Sequence, residues 1–155
     1  MTSSSPIDLA PTAHAARRRV LSVVRQGARW LHLVLALAIV LAVFLQVYLI
    51  GAFIFGAGQG ALDAHKTAGF TAHGLEVLIF IAALVAWLPR RDLGLSLLLS
   101  VIGTLQVTLA SEQRWVGALH PLLALVVLGL AAALALLGLR RHKLLSARPL
   151  AEGAA

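Results

Sequence analysis

Asp63-Ala64-His65-Lys66-Thr67-Ala68-Gly69-Phe70-Thr71-Ala72-His73-Gly74-Leu75-Glu76 runs without interruption into the apolar stretch Val77 to Leu88. Two histidines and a carboxylate therefore enter a segment suited to a membrane helix. On a helix turning about 100° per residue, Glu76 lies about 20° around from His65, and Gly69 and Ala72 fall on the same stripe. Polar groups separated by small residues on one stripe suit a flat cofactor. Gly69 and Ala72 let a bulky ring approach the backbone while an imidazole reaches for its metal.

Working outward, the whole chain has this apolar character. Of its 155 residues, 60% are hydrophobic and 12% charged, and the apolar residues come in long blocks, which makes a polytopic membrane protein rather than a soluble domain. The net charge of +7 is spread between these blocks and forms no single basic face, so nucleic acid is not an expected partner. The chain has no cysteine, which excludes disulfides, thiolate zinc sites, iron-sulfur clusters and covalent c-type haem. A metal would have to be held by histidine, carboxylate or backbone.

Four spans are expected: Leu31 to Phe55, Thr67 to Leu88, Leu93 to Ala110 and Val116 to Leu139. Each approaches or exceeds the ~20 residues that cross ~30 Å of hydrocarbon. The links are short: Gly56-Ala57-Gly58-Gln59-Gly60, Pro89-Arg90-Arg91-Asp92 and Ser111-Glu112-Gln113-Arg114. Short links make consecutive spans antiparallel neighbours, so the expected fold is an all-α, up-down-up-down four-helix transmembrane bundle. Residues 1–16, rich in Ser, Thr, Pro and Ala, are expected to be a disordered tail, and residues 17–30 a basic amphipathic lead-in on the membrane surface ending at Trp30. The bundle occupies 31–139, and 140–155 form a basic tail. Eleven Lys and Arg residues fall on the side of the termini, against Lys66 and Arg114 on the other. By the positive-inside rule both termini are expected to be cytoplasmic, in an inner (plasma) membrane.

Spans 2 and 4 run in the same direction and are diagonal partners in such a bundle. His65 stands at the outer end of span 2. His120 stands at the outer end of span 4, placed there by Pro121, which is at home in the first turn of a helix. Gln46 on span 1, Gln106 on span 3 and His73 on span 2 gather at the same outer level, and the inner half is expected to have no equivalent gathering. A histidine near an interface needs no special reason. Two on diagonal helices at one end point instead to a ligand pair, because ionisable groups in spans are costly and usually functional. His73, two turns deeper, is an alternative to His65 as the partner of His120. Glu76, near mid-membrane, is expected to be neutral or bonded to His73 or Gln106, in either a proton-relay or a packing role. His32 has no histidine on span 3 to face it, and His14 and His142 are expected to be solvated.

His65-Lys66-Thr67-Ala68-Gly69 resembles the His-(Arg/Lys)-x-x-Gly entry to the second helix of each half of haem A synthase, a membrane enzyme that oxidises a haem methyl group. Gln106-Val107-Thr108 and Ala118-Leu119-His120 resemble the third and fourth helices of that half. The likeness runs from Leu31 to Leu139 and covers one four-helix repeat where the enzyme has two. Asp63-Ala64-His65 and Leu119-His120-Pro121 are also similar to a family of small four-helix bacterial membrane proteins. The resemblance implies that His65 and His120 ligate one b-type haem. It does not extend to oxygenase chemistry: Leu62 stands where the catalytic half has Glu, with Asp63 one place off, so no catalytic residue is assigned.

The expected function is therefore a small integral membrane protein that binds haem b through His65 and His120, with Gln46, Gly69, His73, Glu76 and Gln106 around it, in electron transfer or haem handling. Its partners would be the lipid bilayer, a membrane redox or assembly partner and, as a homodimer, a second copy. The alternative is a cofactor-free accessory or assembly subunit of a larger membrane complex, favoured by small-residue stripes such as Ala131, Ala132, Ala133 and Ala135. A carrier working through Glu76 is the least supported reading, since four spans give little room and no broken helix is visible.

Overall fold

The computed structural model describes residues 13–110 and 114–146. Four helices account for nearly all of them: α1 (Ala13–Ile54), α2 (Gln59–Val85), α3 (Arg90–Ala110) and α4 (Leu119–Ser146), with one 3-10 turn, Arg114–Val116, ahead of α4. All four are long and apolar enough to cross a membrane. The protein is an all-α, multi-pass membrane bundle. Each helix packs on its neighbours in the chain, and α1 closes the ring against α4, so α2 and α4 face each other across a diagonal.

Turn chemistry fixes where the helices stop. Gly56 and Gly58 both take positive φ, 93° and 84°, a region that glycine enters freely, and α2 begins directly after them. The turn between α2 and α3 lies earlier than the sequence suggests. Ala86, Trp87 and Leu88 make it, with Trp87 at φ 52°, and Arg90-Arg91-Asp92 already belong to α3. Proline explains the shift: Pro89 lacks an N–H and has a fixed φ, so it sits well just before a helix start, and its carbonyl accepts from Leu93 N–H at 3.0 Å. Similarly α2 starts at Gln59, so His65 lies nearly two turns inside the helix instead of at its entry.

The basic stretch and the first span form one helix with no break at Trp30, and that helix takes in Ala13 to Ala16; α4 likewise continues past Leu139 to Ser146. The calls on residues 1–12, 111–113 and 147–155 lie outside the described residues. At ~1.5 Å per residue α1 is about 63 Å long, twice the hydrocarbon thickness, so its basic part projects beyond the bundle.

At the centre, Ile39, Ile79, Leu99 and Leu134, one from each helix, are fully buried at a common level. Burial among lipid-soluble helices gains little from the hydrophobic effect, so close approach matters more, and Ala36, Ala83 and Ala131, all at 0% exposure, allow it. From this centre to the end that carries Arg90 and Arg141 (the basic end), packing is continuous. Toward the end that carries His65 and His120 (the histidine end), full burial stops at Val43, Ala72, Gly103 and Val127; facing positions beyond them are only half-buried. The bundle is tight at one end and open at the other.

Candidate functional site

At the histidine end, the His65 and His120 rings lie with centroids 6.2 Å apart and planes at 82°. Each is held in the same way. The Nδ1–H of His65 donates to the carbonyl of Gln46 on α1 at 3.1 Å, and the Nδ1–H of His120 donates to the carbonyl of Gln106 on α3 at 3.1 Å. A carbonyl can only accept, so each ring must carry its proton on Nδ1, which leaves the Nε2 lone pair of both free to bind a metal. Small residues stand one turn inward of each histidine, Gly69 after His65 and Ala124 after His120. A Cβ on Gly69 would come within 2.6 Å of Gln46 Nε2, so the glycine makes room for that amide. The side-chain oxygens of Gln46 and Gln106 are buried without a hydrogen-bond partner.

The two half-sites belong to a repeat that sequence reasoning missed. Leu45-Gln46-Val47-Tyr48-Leu49 on α1 and Leu105-Gln106-Val107-Thr108-Leu109 on α3 agree at four of five positions, sixty residues apart. Burial follows the same offset: His32 and Asp92, Ala36 and Ser96, Ile39 and Leu99, and Val43 and Gly103 are all buried. On α2 and α4 the offset is fifty-five, which pairs His65 with His120, Ala72 with Val127, Glu76 with Ala131 and Ile79 with Leu134. The signal was available in the pentapeptides; it is short, and apolar composition hides the rest.

His73 does not join the histidine pair. Its Nδ1 lies 3.2 Å from Glu76 Oε2, one turn along the same helix. Glu76 is 4% exposed, and its carboxylate rests against Gly103 of α3, where any Cβ would collide with it. The Ser100 hydroxyl of α3 donates to the Glu76 carbonyl. Along α3, Ser96, Thr104 and Thr108 each donate back to the carbonyl four residues earlier, while Ser100, whose one proton goes to Glu76, lies 3.2 Å from the Ser96 carbonyl.

The basic end corrects two expectations. It has its own polar gathering: Asp92 is 1% exposed, paired with Arg141 of α4 and with Arg91 Nε at 3.1 Å, and His32 Nε2 meets Ser96 Oγ at 3.0 Å across the bundle. Asp92 was assigned to a link, and the shifted start of α3 is what buries it. His142 is not solvated; it is buried and stacks on Trp30 at 3.8 Å, because α4 continues beyond the expected span.

No group of three or more His, Cys, Asp or Glu capable of holding a metal occurs among the described residues. A metal at the histidine end would thus take two protein ligands and need the rest from its own cofactor. Two imidazoles on opposite sides of one metal, at ~2 Å bond lengths, would have ring centroids about 6 Å apart, close to the 6.2 Å seen here. The fixed tautomers, the ring separation and the open end of the bundle fit an iron porphyrin. No family model, curated protein or solved structure matches the chain.

Proposed function

We propose that this protein is a b-type haem protein of a bacterial inner membrane, with His65 and His120 as axial ligands and the basic end in the cytoplasm. The observation that carries the reading is the pair of imidazoles 6.2 Å apart, each with Nδ1 tied to a carbonyl of the neighbouring helix. The eleven basic residues on the side of the termini support the orientation, which puts the haem near the periplasmic face. Bound haem would supply a one-electron couple, with His65 and His120 as the two protein ligands that would hold it. Electron transfer or haem handling for a membrane partner follows from that, as in the resemblance to one half of haem A synthase without its catalytic glutamate.

Inside the site, the carbonyls of Gln46 and Gln106 orient the rings and fix which nitrogen carries the proton. Gly69 leaves room for the Gln46 side chain beside the His65 ring.

The chain purified with haem supplied is expected to show a Soret band and a reduced α-band of b type. His65→Ala and His120→Ala should each abolish or strongly shift them, while His73→Ala leaves them in place. A wild-type preparation without Soret absorbance, copurifying with one stoichiometric partner, would replace this reading with that of a cofactor-free assembly subunit.

A further inference from the structure

The repeat supplies an internal control for every polar side chain in the membrane. Position for position, the contact between α2 and α3 corresponds to the contact between α4 and α1. In the second of these, the places of Glu76, His73, Gly103 and Ser100 are taken by Ala131, Leu128, Val43 and Val40. The fold closes without a carboxylate there, so packing alone does not call for Glu76.

We propose that the Glu76–His73 pair is a proton-binding site linked to the electron on the haem, a reading that rests on the haem assignment above. Under this proposal one proton is held between His73 Nδ1 and Glu76 Oε2, which lie 3.2 Å apart, and the pair is neutral as a unit. Glu76 is sealed at 4% exposure among apolar side chains, and Gly103 gives its carboxylate room that a valine would remove. The His73 side chain is 24% exposed, unlike Glu76, and is the route for exchange. Along α2, His73 lies about 12 Å and Glu76 about 16 Å from the level of His65. Apolar surroundings screen charge less than water does, so the two centres interact over that distance. Other ionisable groups on the packed helices are further off along their axes: His32 on α1 and Asp92 on α3 are at the basic end, where Asp92 is already paired with Arg141. Near the histidine end lie Asp63, His65 and Lys66 on α2 itself, Tyr48 on α1, Arg114 ahead of α4 and His120 on α4, with His65 and His120 the proposed ligands.

The balance is one for one. With haem bound, uptake of one electron from a one-electron donor would be matched by uptake of one proton at the Glu76–His73 pair, which would pass from neutral to +1. When an acceptor removes the electron, the proton returns through His73. The sign follows directly: reduction binds a proton, so the midpoint potential falls as pH rises, approaching 59 mV per unit for one proton per electron.

Redox titration of the haem-loaded full chain in lipid nanodiscs across neutral pH tests this. The wild type should show the sloping potential, while Glu76→Gln keeps the Soret and α-bands and loses the slope. Where Glu76→Gln fails to fold, the double change Glu76→Ala with Gly103→Val copies the other half and serves in its place. Haem present with equal slopes in both chains overturns the proton linkage alone; a wild type that binds no haem overturns the haem assignment and this inference together.

Discussion

The contact between α2 and α3 and the contact between α4 and α1 are built from corresponding positions of one repeat, yet only the first is polar. Ala131, Leu128, Val43 and Val40 fill the second with apolar groups. The first holds a buried carboxylate, its histidine, a serine and the glycine that makes room for them. A charge at mid-membrane costs at least ~2.5 kcal/mol, so the polar version is the less stable way to close the same fold. The difference teaches that the polar side chains here are additions to a sufficient apolar scaffold, and that each can be tested by exchanging it for its counterpart.

The largest effect is expected at the basic end, where the halves differ most in charge. Asp92 pairs with Arg141, whereas the corresponding positions of the first half are His32 and Ala86. Replacing Asp92 by Ala leaves Arg141 without its carboxylate and should destabilise the bundle by about 3–5 kcal/mol. Unfolding in mixed micelles measures it. Adding Arg141→Ala should recover much of the loss, because Ala86 shows that the small residue fits there. A double variant as unstable as the single one would break the correspondence between the halves.

Next comes the polar seam itself. Gly103→Val drives a side chain into the Glu76 carboxylate and should cost about 1–3 kcal/mol by overpacking. Combined with Glu76→Ala it recreates the pairing of Val43 with Ala131, and most of the stability should return. The reverse graft, Ala131→Glu, places an unpartnered carboxyl opposite Val43 and should destabilise without any such rescue. Equal tolerance of Glu76 and of the grafted glutamate would mean the seam has no special accommodation for charge.

How much of this was legible in the sequence depends on the scale of the signal. Long apolar blocks gave four spans and their order, since only helices of that length satisfy the backbone in lipid. His65 and His120 were singled out because an imidazole at a span end stands out against apolar neighbours, although the sequence left His73 as an alternative. Only the structure separates them, through the bond of His73 to Glu76. The anchoring carbonyls of Gln46 and Gln106 were beyond reach, for backbone acceptors carry no residue identity. Asp92 was misread because it follows Pro89 in a run that looks like a turn, and a shift of a few residues at a helix start decides whether it is solvated or buried. His142 went the same way at the end of α4.

The smallest expected effect sharpens the comparison most finely. Ser96 corresponds to Ala36, and both are at 0% exposure, so alanine demonstrably fits the place. Ser96 Oγ donates to the Asp92 carbonyl and so can only accept from His32, which puts the proton of His32 on Nε2. Ser96→Ala removes that acceptor without creating a sizeable cavity. The loss should be about 1 kcal/mol, the net worth of one hydrogen bond with its donor left inside. A pH-independent loss of that size, measured alongside Gly103→Val in the same micelles, would place Ser96 with the scaffold. Loss of the potential slope of the haem in Ser96→Ala would instead extend the proton-linked seam from Glu76 to the basic end.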